Sequence, residues 1–215
     1  MVVRMFDSPG AAYDIIADDY AARFSDELFG RPVDLALLEV FIALVGRRGG
    51  TVLDVGCGPG TATTMLAKAA LDVIGVDASA EMIRIAEERL PDIDFRVGDF
   101  RELDLADDSA AGICSWYSLV HTEPAALPGV IAEFARMLLP GGWLLLAFQT
   151  EAPDLTLAEP FGKPVTLTYL RHDTGRVSRA LGKAGLAVDS ITVRQRDIDA
   201  GETANQAFVL ARKAR

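Results

Sequence analysis

The residues best suited to chemistry lie in a glycine-rich segment. From Val52 to Gly60 the chain reads VLDVGCGPG, a short apolar run followed by glycines at alternate positions. Glycines let the backbone pass close beneath a ligand, where a Cβ atom would clash. A helix predicted just after the segment offers unpaired N–H groups and the positive end of its dipole. The segment therefore predicts a site for a nucleotide-like ligand, the alternative being an ordinary tight strand-to-helix turn.

The spacing of the glycines narrows the type of ligand. Gly56, Gly58 and Gly60 follow a G-x-G-x-G pattern, whereas the dinucleotide fingerprint requires G-x-G-x-x-G. Thr61 stands where the third fingerprint glycine would fall, and Pro59 stiffens the turn. The segment also lacks the lysine of phosphate-binding P-loops. These departures count against a nicotinamide-dependent oxidoreductase, which remains the less favoured alternative.

Two aspartates follow the next two predicted strands. Asp77 ends the second strand, where its carboxylate can accept hydrogen bonds from two ribose hydroxyls, each worth about 1.5–3 kcal/mol. Asp99 follows the third strand and can accept a hydrogen bond from an exocyclic adenine amine, with Phe100 packing nearby. The carboxyl ends of parallel strands meet at one edge of a sheet, which places both near the glycines. The alternatives are a helix N-terminal acid for Asp77 and a simple turn at Gly98-Asp99.

The chain has two histidines, His121 and His172. His121 comes after the fourth predicted strand, where it could act as a general base or anchor an acceptor. Its alternative role is structural, as a helix-entry residue bonded to backbone. His172 precedes a predicted helix and could reach an acceptor from the other side, or cap the surface. The aromatic candidates for an acceptor pocket are Tyr13, Tyr20, Trp116, Tyr117 and Phe161.

The elements that would position these residues alternate in type. Short apolar runs and helical periodicity take turns along the middle of the chain, which predicts right-handed βαβ crossovers. Such crossovers build a mainly parallel α/β sheet with helices on both faces. The predicted strands are Thr51–Val55, Val73–Val76, Ile93–Val97, Ala110–Ser115 and Trp143–Phe148, and the helices between them are Thr61–Ala70, Ser79–Leu90 and Pro124–Leu139.

The two ends of the chain have patterns of their own. Helical spacing of Ala12, Ile16 and Tyr20, and a helix opened by Pro32, predict an N-terminal helical cap over residues 1–48. Residues 49–215 form the α/β core, so that a single domain covers residues 1–215. The C-terminal part is predicted as a loop over Glu151–Pro164, a strand over Thr166–Arg171, a helix from Asp173 to Ala184, and closing strands Leu186–Arg194 and Ala207–Ala211.

Composition excludes several classes of function. The 215 residues carry 21 basic and 31 acidic side chains, a net charge of −10, which disfavours nucleic acid and anionic membrane surfaces as partners. Only two cysteines, Cys57 and Cys114, are present, so the sequence predicts neither a disulfide framework nor a metal site. This use of cysteine predicts a protein of the cytoplasm. No run approaches 18 apolar residues, and the first residues lack a long apolar stretch. Neither a membrane-spanning helix nor a signal peptide is therefore expected.

Four segments, in this order, resemble motifs of the class I S-adenosylmethionine-dependent methyltransferase family. They are LDVGCGPG at 53–60, GVDAS at 75–79, GDF at 98–100 and LLPGG at 138–142. The opening from Tyr13 to Tyr20 also looks like the cap of the small-molecule branch. The resemblance implies a Rossmann-like seven-stranded sheet, mainly parallel, with the last strand antiparallel. It also implies S-adenosyl-L-methionine as the cofactor and in-line methyl transfer to the oxygen, nitrogen or carbon of a small molecule.

The resemblance further implies roles for individual residues. Gly56 and Gly58 would lie beneath the methionine part of the cofactor, Asp77 would bind the ribose, and Asp99 with Phe100 the adenine. Asp54 would organise the glycine segment or contact the amino end of the methionine. The full predicted cofactor-binding set is Tyr13, Asp54, Gly56, Cys57, Gly58, Asp77, Ala78, Met82, Gly98, Asp99, Phe100 and Ser115. The predicted substrate pocket is Tyr20, Trp116, Tyr117, Phe161 and His172, with His121 as the candidate catalytic residue.

Two departures from the family bear on the acceptor. Many members have an acid early in the fourth strand, where this chain has Ala110-Ala111-Gly112. The chain also lacks the Asn- or Asp-Pro-Pro-Tyr motif of DNA amino-methyltransferases, which agrees with a small-molecule acceptor. A non-catalytic module that binds the cofactor or a protein partner remains an alternative. The sequence leaves the oligomeric state and the acceptor atom open.

Overall fold

The computed structural model describes residues 9–25 and 27–215. The expectation about a signal peptide concerns the first residues and lies outside this part. The helices are α1 Pro9–Phe24, α2 Pro32–Gly46, α3 Thr61–Lys68, α4 Ala80–Arg89, α5 Leu127–Met137 and α6 Thr174–Lys183. The strands are β1 Thr51–Val55, β2 Asp72–Asp77, β3 Asp94–Val97, β4 Ala110–Trp116, β5 Leu138–Thr150, β6 Leu155–Ala158, β7 Thr166–Tyr169, β8 Leu186–Arg194 and β9 Asn205–Lys213. Short 3₁₀ turns cover Glu27–Gly30, Ser118–His121 and Pro160–Gly162.

The central sheet has seven strands in the order β3-β2-β1-β4-β5-β9-β8. Strands β1 to β5 pair in parallel, and the last strand of the chain, β9, is antiparallel to both β5 and β8. The predicted Rossmann-like α/β sheet with an antiparallel last strand is thereby confirmed. The strand order reverses between β1 and β4, and in open α/β sheets ligands bind at this point, beyond the carboxyl ends of the strands.

The inner strands are buried on both faces, which explains why they read as continuous apolar runs. In β1, Val52 and Leu53 are both buried but belong to different hydrophobic clusters, because successive side chains point to opposite faces. In β5, Leu145 joins the cluster of Val52, while Leu144 joins that of Leu53. A parallel sheet covered by helices requires this double burial.

Helices cover each face of the sheet. On one face α2 and α3 supply Phe41 and Leu66, and on the other α5 and α6 supply Phe134 and Leu181. All four side chains are fully buried. The second predicted cap helix, α2, is therefore part of a packed layer on the sheet. The position of a cap belongs to α1, which packs against α4 and β7.

The segment Glu151–Pro164, predicted as a loop, is not one. It contains β6, which pairs antiparallel with β7 as a separate two-stranded sheet, with Leu157 opposite Leu167. The three prolines that suggested a loop are Pro153, Pro160 and Pro164, and all of them lie outside the two strands. Four residues in each strand are enough for a hairpin, and the flanking prolines made the short strand β6 hard to recognise in the sequence.

Other boundaries moved by a few residues. Helix α5 begins at Leu127, three residues after the predicted start, and its last turn passes directly into β5 at Leu138. Strand β5 is longer than predicted because the Pro140-Gly141-Gly142 segment lies within it, beside a shift in register against β4. Among the described residues, no helix is both long and apolar enough to span a bilayer.

Gly112 in β4 gives a test of how closely α2 packs on the sheet. A Cβ at this position would lie 2.7 Å from Val45 Cγ2 and 3.0 Å from Phe41 Cζ, both in α2. Gly112→Ala should therefore lower the free energy of unfolding by about 1–3 kcal/mol, measured by urea denaturation. The matched control is Gly129→Ala in α5, where a Cβ meets open space. That change should leave stability unchanged or raise it, and an equal loss in both variants would contradict the packing explanation.

Candidate active site

The glycine segment joins β1 to α3 through a backbone that glycine favours. Gly56 has φ +71° and Gly58 has φ +53°, both in the left-handed region. A Cβ on Gly56 would approach Ser118 Cβ to 2.2 Å, so this position tolerates glycine alone. A Cβ on Gly58 would meet no atom of the described residues within 4 Å, and this space above the loop could hold a ligand. The amides of Gly56 and Cys57 both donate to Val76 O, at 2.7 and 3.0 Å, and hold the loop against the end of β2.

Asp77 connects the loop to the next helix. Its Oδ2 accepts a hydrogen bond from the Gly58 amide at 2.8 Å, and its Oδ1 accepts one from the Ser79 amide at 2.9 Å. Burial raises the pKa of Asp77, and these two backbone bonds partly offset that effect. Each carboxylate oxygen keeps acceptor capacity, because an ionised carboxylate has about four lone-pair sites. The side chain faces the cavity described below with room to accept two hydroxyl donors.

Asp54 lies beneath the glycine loop. It is fully buried, and its Oδ2 accepts a hydrogen bond from Thr63 Oγ1 in α3 at 2.5 Å. Its Oδ1 is buried and has no partner among the described residues. Burial raises the pKa of Asp54 to about 7. Of the two roles that the resemblance implies, the Thr63 bond fits the organising one, because it fixes the loop against the first helix turn.

The third predicted element closes the same edge. The Gly98 amide donates to Asp77 O at 2.8 Å and ties the end of β3 to that of β2. Asp99 Oδ1 accepts hydrogen bonds from the backbone amide and Nε of Arg101, at 2.9 and 2.8 Å, and this pairing lowers the pKa of Asp99. The ring of Phe100 packs against Phe134, with 5.9 Å between centroids. A ligand amine would therefore share Asp99 with Arg101.

Two adjoining cavities open above these residues. The first, which we call the glycine-loop cavity, is about 160 Å³ and is bounded by Gly58, Asp77 and Phe100. The second, which we call the hairpin cavity, is about 510 Å³ and is bounded by Leu157, Arg171 and Gln206. The residues that line both are Tyr13, Tyr20, Gly56, Gly58, Trp116 and Tyr117. Two ligands bound in the two cavities would meet at this shared wall.

A hydrogen-bonded chain crosses the shared wall. Tyr13 Oη lies 3.0 Å from His121 Nε2, and His121 Nδ1 lies 2.9 Å from Thr168 O. A carbonyl oxygen only accepts, so Nδ1 carries the proton and Nε2 accepts from the Tyr13 hydroxyl. Burial lowers the pKa of His121, which keeps the ring neutral near pH 7. Burial also raises the pKa of Tyr13.

The structure brings most of the predicted cofactor residues to one cavity. Of the set proposed from the sequence, those that line the glycine-loop cavity are Tyr13, Gly56, Gly58, Asp77, Ala78, Met82, Asp99 and Phe100. Asp54, Gly98 and Ser115 support this wall from behind, and Ser115 Oγ is 2.6 Å from Ser118 Oγ. Cys57 is buried, borders the hairpin cavity and packs near Phe95, as a space-filler would.

Two residues of the predicted substrate pocket lie elsewhere. Phe161 is 43% exposed and packs its edge against Phe24, with 6.4 Å between centroids, so it lines neither cavity. His172 is 2% exposed and directs Nε2 to Leu119 O at 2.9 Å. It is therefore not a surface cap and lines neither cavity, because it is buried and packs against Phe148, with 6.1 Å between ring centroids. Tyr20, Trp116 and Tyr117 do line the cavities.

Sequence reasoning missed several wall residues. Gly10 in α1 lies so close to the β2–α4 loop that a Cβ would come within 2.6 Å of Ala78 O. Gln149, Arg171 and Gln206 border the hairpin cavity from three different elements, far apart in the chain. No local motif marks them. Gln149 lies near the end of β5, Arg171 follows β7 and Gln206 lies at the beginning of β9. These positions predict a shared site only once the strand order is known.

Comparison with known proteins gives the class of this site. Residues 52–142 match the sequence family described as a methyltransferase domain. A demethylmenaquinone methyltransferase of Renibacterium salmoninarum is 34% identical over 147 residues, 68% of this chain and 57% of that protein. An uncharacterized 37.1 kDa protein in transposon TN4556 of Streptomyces fradiae is 34% identical over 165 residues, 69% of this chain and 47% of that protein. The chain spans about half the length of these curated relatives.

Solved structures share the fold. The PH0226 protein of Pyrococcus horikoshii superposes with a TM-score of 0.70 at 21% identity, over 91% of this chain and 98% of that one. A Burkholderia thailandensis 1,6-didemethyltoxoflavin N1-methyltransferase, solved with 1,6-didemethyltoxoflavin and S-adenosylhomocysteine, gives 0.64 at 20% identity, over 98% and 92%. Fold, site and matched motifs define an α/β protein of the methyltransferase class. Residues 52–142 match the methyltransferase-domain family, and the chain is similar to class I S-adenosylmethionine-dependent methyltransferases in sequence and in fold.

The two histidines should differ in tautomer. His121 donates from Nδ1 to Thr168 O, whereas His172 donates from Nε2 to Leu119 O. Long-range ¹H–¹⁵N spectra at pH 7.5 should therefore show Nδ1–H for one ring and Nε2–H for the other, assigned with His121→Gln. Burial lowers the pKa of both, so each should titrate below 6.5. An Nε2–H tautomer of His121 would rule out donation from the Tyr13 hydroxyl to His121 Nε2.

Asp54 should make the free energy of unfolding depend on pH. Its pKa is about 7 in the folded chain against 3.8 for an ordinary aspartate. The folded state therefore binds the extra proton, and this stabilisation is complete below about pH 4 and lost as the pH rises through 7. Asp54→Asn should flatten the fall in unfolding free energy over this range by about 1–4 kcal/mol. Urea denaturation from pH 4 to pH 8 measures it, with the exposed Asp92→Asn as control; equal slopes in Asp54→Asn and wild type would refute the assignment.

Proposed function

We propose that this protein transfers a methyl group from S-adenosyl-L-methionine to a small molecule. The observation that carries the proposal is the glycine loop held against Asp77, with a larger aromatic-walled cavity adjoining it. The loop and Asp77 match the cofactor motif of the family, and the second cavity supplies space for an acceptor. The match to the methyltransferase-domain family and the methyltransferase names of its relatives support the same function.

The residues present fit the cofactor by their chemistry. The open space over Gly58 has room for part of the cofactor, and any side chain at this position would fill that space. Asp77 can accept hydrogen bonds from two ribose hydroxyls. Asp99 and Phe100 offer a polar acceptor and an apolar ring on the next strand. Tyr13 and Met82 complete the wall from α1 and α4. The cofactor supplies an activated methyl group on a sulfonium, so the protein has mainly to orient two molecules and exclude water.

His121 and Tyr13 are the groups proposed to handle a proton. An oxygen or nitrogen acceptor must lose a proton, and a positioned base contributes about 10²–10⁴ in rate. His121 Nε2 is an unprotonated nitrogen directed at the shared wall, with Tyr13 Oη as its donor. Tyr13 would take the proton of the acceptor as it passes its own to Nε2. The Nδ1–H bond to Thr168 O then stabilises the charged ring.

The acceptor is proposed to be a small molecule rather than a nucleic acid. The net charge of −10 opposes a polyanion, and the cavity is walled in by the hairpin β6–β7 and by α1. The two cysteines, both buried and free, suit a reducing compartment, and the proposed location is the cytoplasm.

Asp77 tests the cofactor assignment. Isothermal titration with S-adenosylhomocysteine should give binding to the wild type, and Asp77→Asn should weaken it by about ten- to a hundredfold, because an amide accepts fewer and weaker hydrogen bonds than a carboxylate. Asp94→Asn, at the opposite end of β3 and exposed, is the matched control and should bind as the wild type does. Thermal melts of each variant check that the fold is intact.

The same titration with NADH separates the oxidoreductase alternative. Binding of NADH without binding of S-adenosylhomocysteine would overturn the proposed function. Equal affinity of the Asp77→Asn variant and the wild type for S-adenosylhomocysteine would remove the ribose role of Asp77 while leaving cofactor binding in place.

A further inference from the structure

The two cavities differ in the sign of their charged residues. Two carboxylates, Asp77 and Asp99, and one arginine line the glycine-loop cavity. Three arginines and two carboxylates line the hairpin cavity, in a chain whose overall charge is −10. The excess of positive charge around this cavity therefore does not follow from the overall composition, which is acidic. It indicates that the ligand of the cavity carries negative charge.

Most of the charges around the hairpin cavity neutralise one another. Arg194 Nε lies 2.6 Å from Asp34 Oδ1, and Arg194 Nη2 lies 2.8 Å from Glu202 Oε1. Arg31 Nη1 lies 2.9 Å from the same carboxylate oxygen of Glu202. These four side chains are at most 15% exposed and pair two cations with two anions, and the half-exposed Asp197 adds a further carboxylate 3.7 Å from Arg31 Nη1. The cluster therefore gives the wall no net positive charge, while Arg23 of the same wall is exposed on α1.

Arg171, just after β7, is the inner cation that this cluster does not balance. Its guanidinium donates to Tyr169 O at 2.6 Å and to Thr203 Oγ1 at 2.8 Å, which are both neutral acceptors. No carboxylate among the described residues pairs with it; Asp154 Oδ1 instead accepts from the Arg171 backbone amide at 2.7 Å. Its Nε is buried and has no acceptor in the described part of the chain. Two of its five N–H bonds are engaged and the Nε–H is buried, so one N–H on Nη1 and one on Nη2 remain for a further partner.

The surroundings of Arg171 define more of that partner. Gln149 Oε1 and Gln206 Oε1 are buried acceptors that also border this cavity and lack a donor among the described residues. The Gln206 amide is oriented by its Nε2, which donates to Ala204 O at 2.8 Å. The aromatic rings of Tyr20 and Trp116 line the same cavity. A flat molecule with an anionic oxygen group would place that group at Arg171 and its rings between the aromatic side chains.

We propose that Arg171 selects an acceptor bearing an anionic oxygen group, a carboxylate or an ionised phenol or enol, and binds it in the hairpin cavity. Bidentate geometry between a guanidinium and an oxyanion is both strong and specific. The inference deepens the proposed function and rests on it, because it assigns the acceptor class for the cavity beside the cofactor. A cationic methyl donor in the acidic cavity and an anionic acceptor in the basic one attract each other across the shared wall.

Matched acids and amides test this selection. The probes are benzoate with benzamide and 2-naphthoate with 2-naphthamide, titrated calorimetrically into protein saturated with S-adenosylhomocysteine. In the wild type each acid should bind at least about tenfold more tightly than its amide, since the two are alike in size and shape but only the acid offers two anionic oxygens to the guanidinium. Arg171→Gln should bring this preference to within about threefold, and Arg171→Lys should keep part of it, because it retains the charge but not the planar fork.

The control variant is Arg179→Gln, which removes one positive charge from an exposed position on α6. It should bind the acids as the wild type does, so an equal loss in this variant would assign the effect to general charge and overturn the proposal. Acids that bind no better than amides in the wild type, with S-adenosylhomocysteine binding intact, would also overturn it. Absence of S-adenosylhomocysteine binding would instead overturn the proposed function, and the two failures are thereby distinguishable.

Discussion

The backbone contact between the end of β1 and the end of β2 is the constraint on which the site depends. Two successive amides, from Gly56 and Cys57, share the carbonyl of Val76, and the Asp77 side chain closes the same loop through the Gly58 amide. Hydrogen bonds from three successive amides thus hold the loop against the end of β2 before any ligand binds. Asp54 below it is held by Thr63, so the first turn of α3 is fixed to the same unit. Preorganisation of this kind lowers the entropy that ligand binding must offset.

The N-terminal helix extends this rigid unit to the second cavity. Gly10 approaches the β2–α4 loop closely, Asp14 accepts hydrogen bonds from Ser79 Oγ and the Glu81 amide, and Tyr13 reaches His121. Helix α1 therefore touches the glycine-loop cavity on one side and the hairpin on the other. Helix α1 and the Tyr13–His121–Thr168 chain therefore form a continuous set of contacts between the two cavities.

The sequence was sufficient to predict the central sheet and most of the residues that line the glycine-loop cavity. Gly56, Gly58, Asp77 and Asp99 each lie at or within three residues of the end of a strand, and strand ends could be read from apolar runs. The residues that line the hairpin cavity could not all be predicted in the same way. Arg171, Gln149 and Gln206 meet only because β9 inserts antiparallel beside β5 and because β6 and β7 form a hairpin. Long-range pairing of this kind leaves no periodic signal, and the prolines around β6 obscured the local one.

The hairpin β6–β7 shares no hydrogen-bonded strand with the central sheet. It borders the larger cavity and also carries Thr168, whose carbonyl fixes the tautomer of His121. Its side chains can change without altering the strands that hold the glycine loop. Under the proposed function, the architecture therefore places two requirements on different parts of the chain. Binding of the cofactor constrains the central sheet, whereas a change of acceptor would fall on a short ribbon that also fixes the tautomer of the neighbouring imidazole.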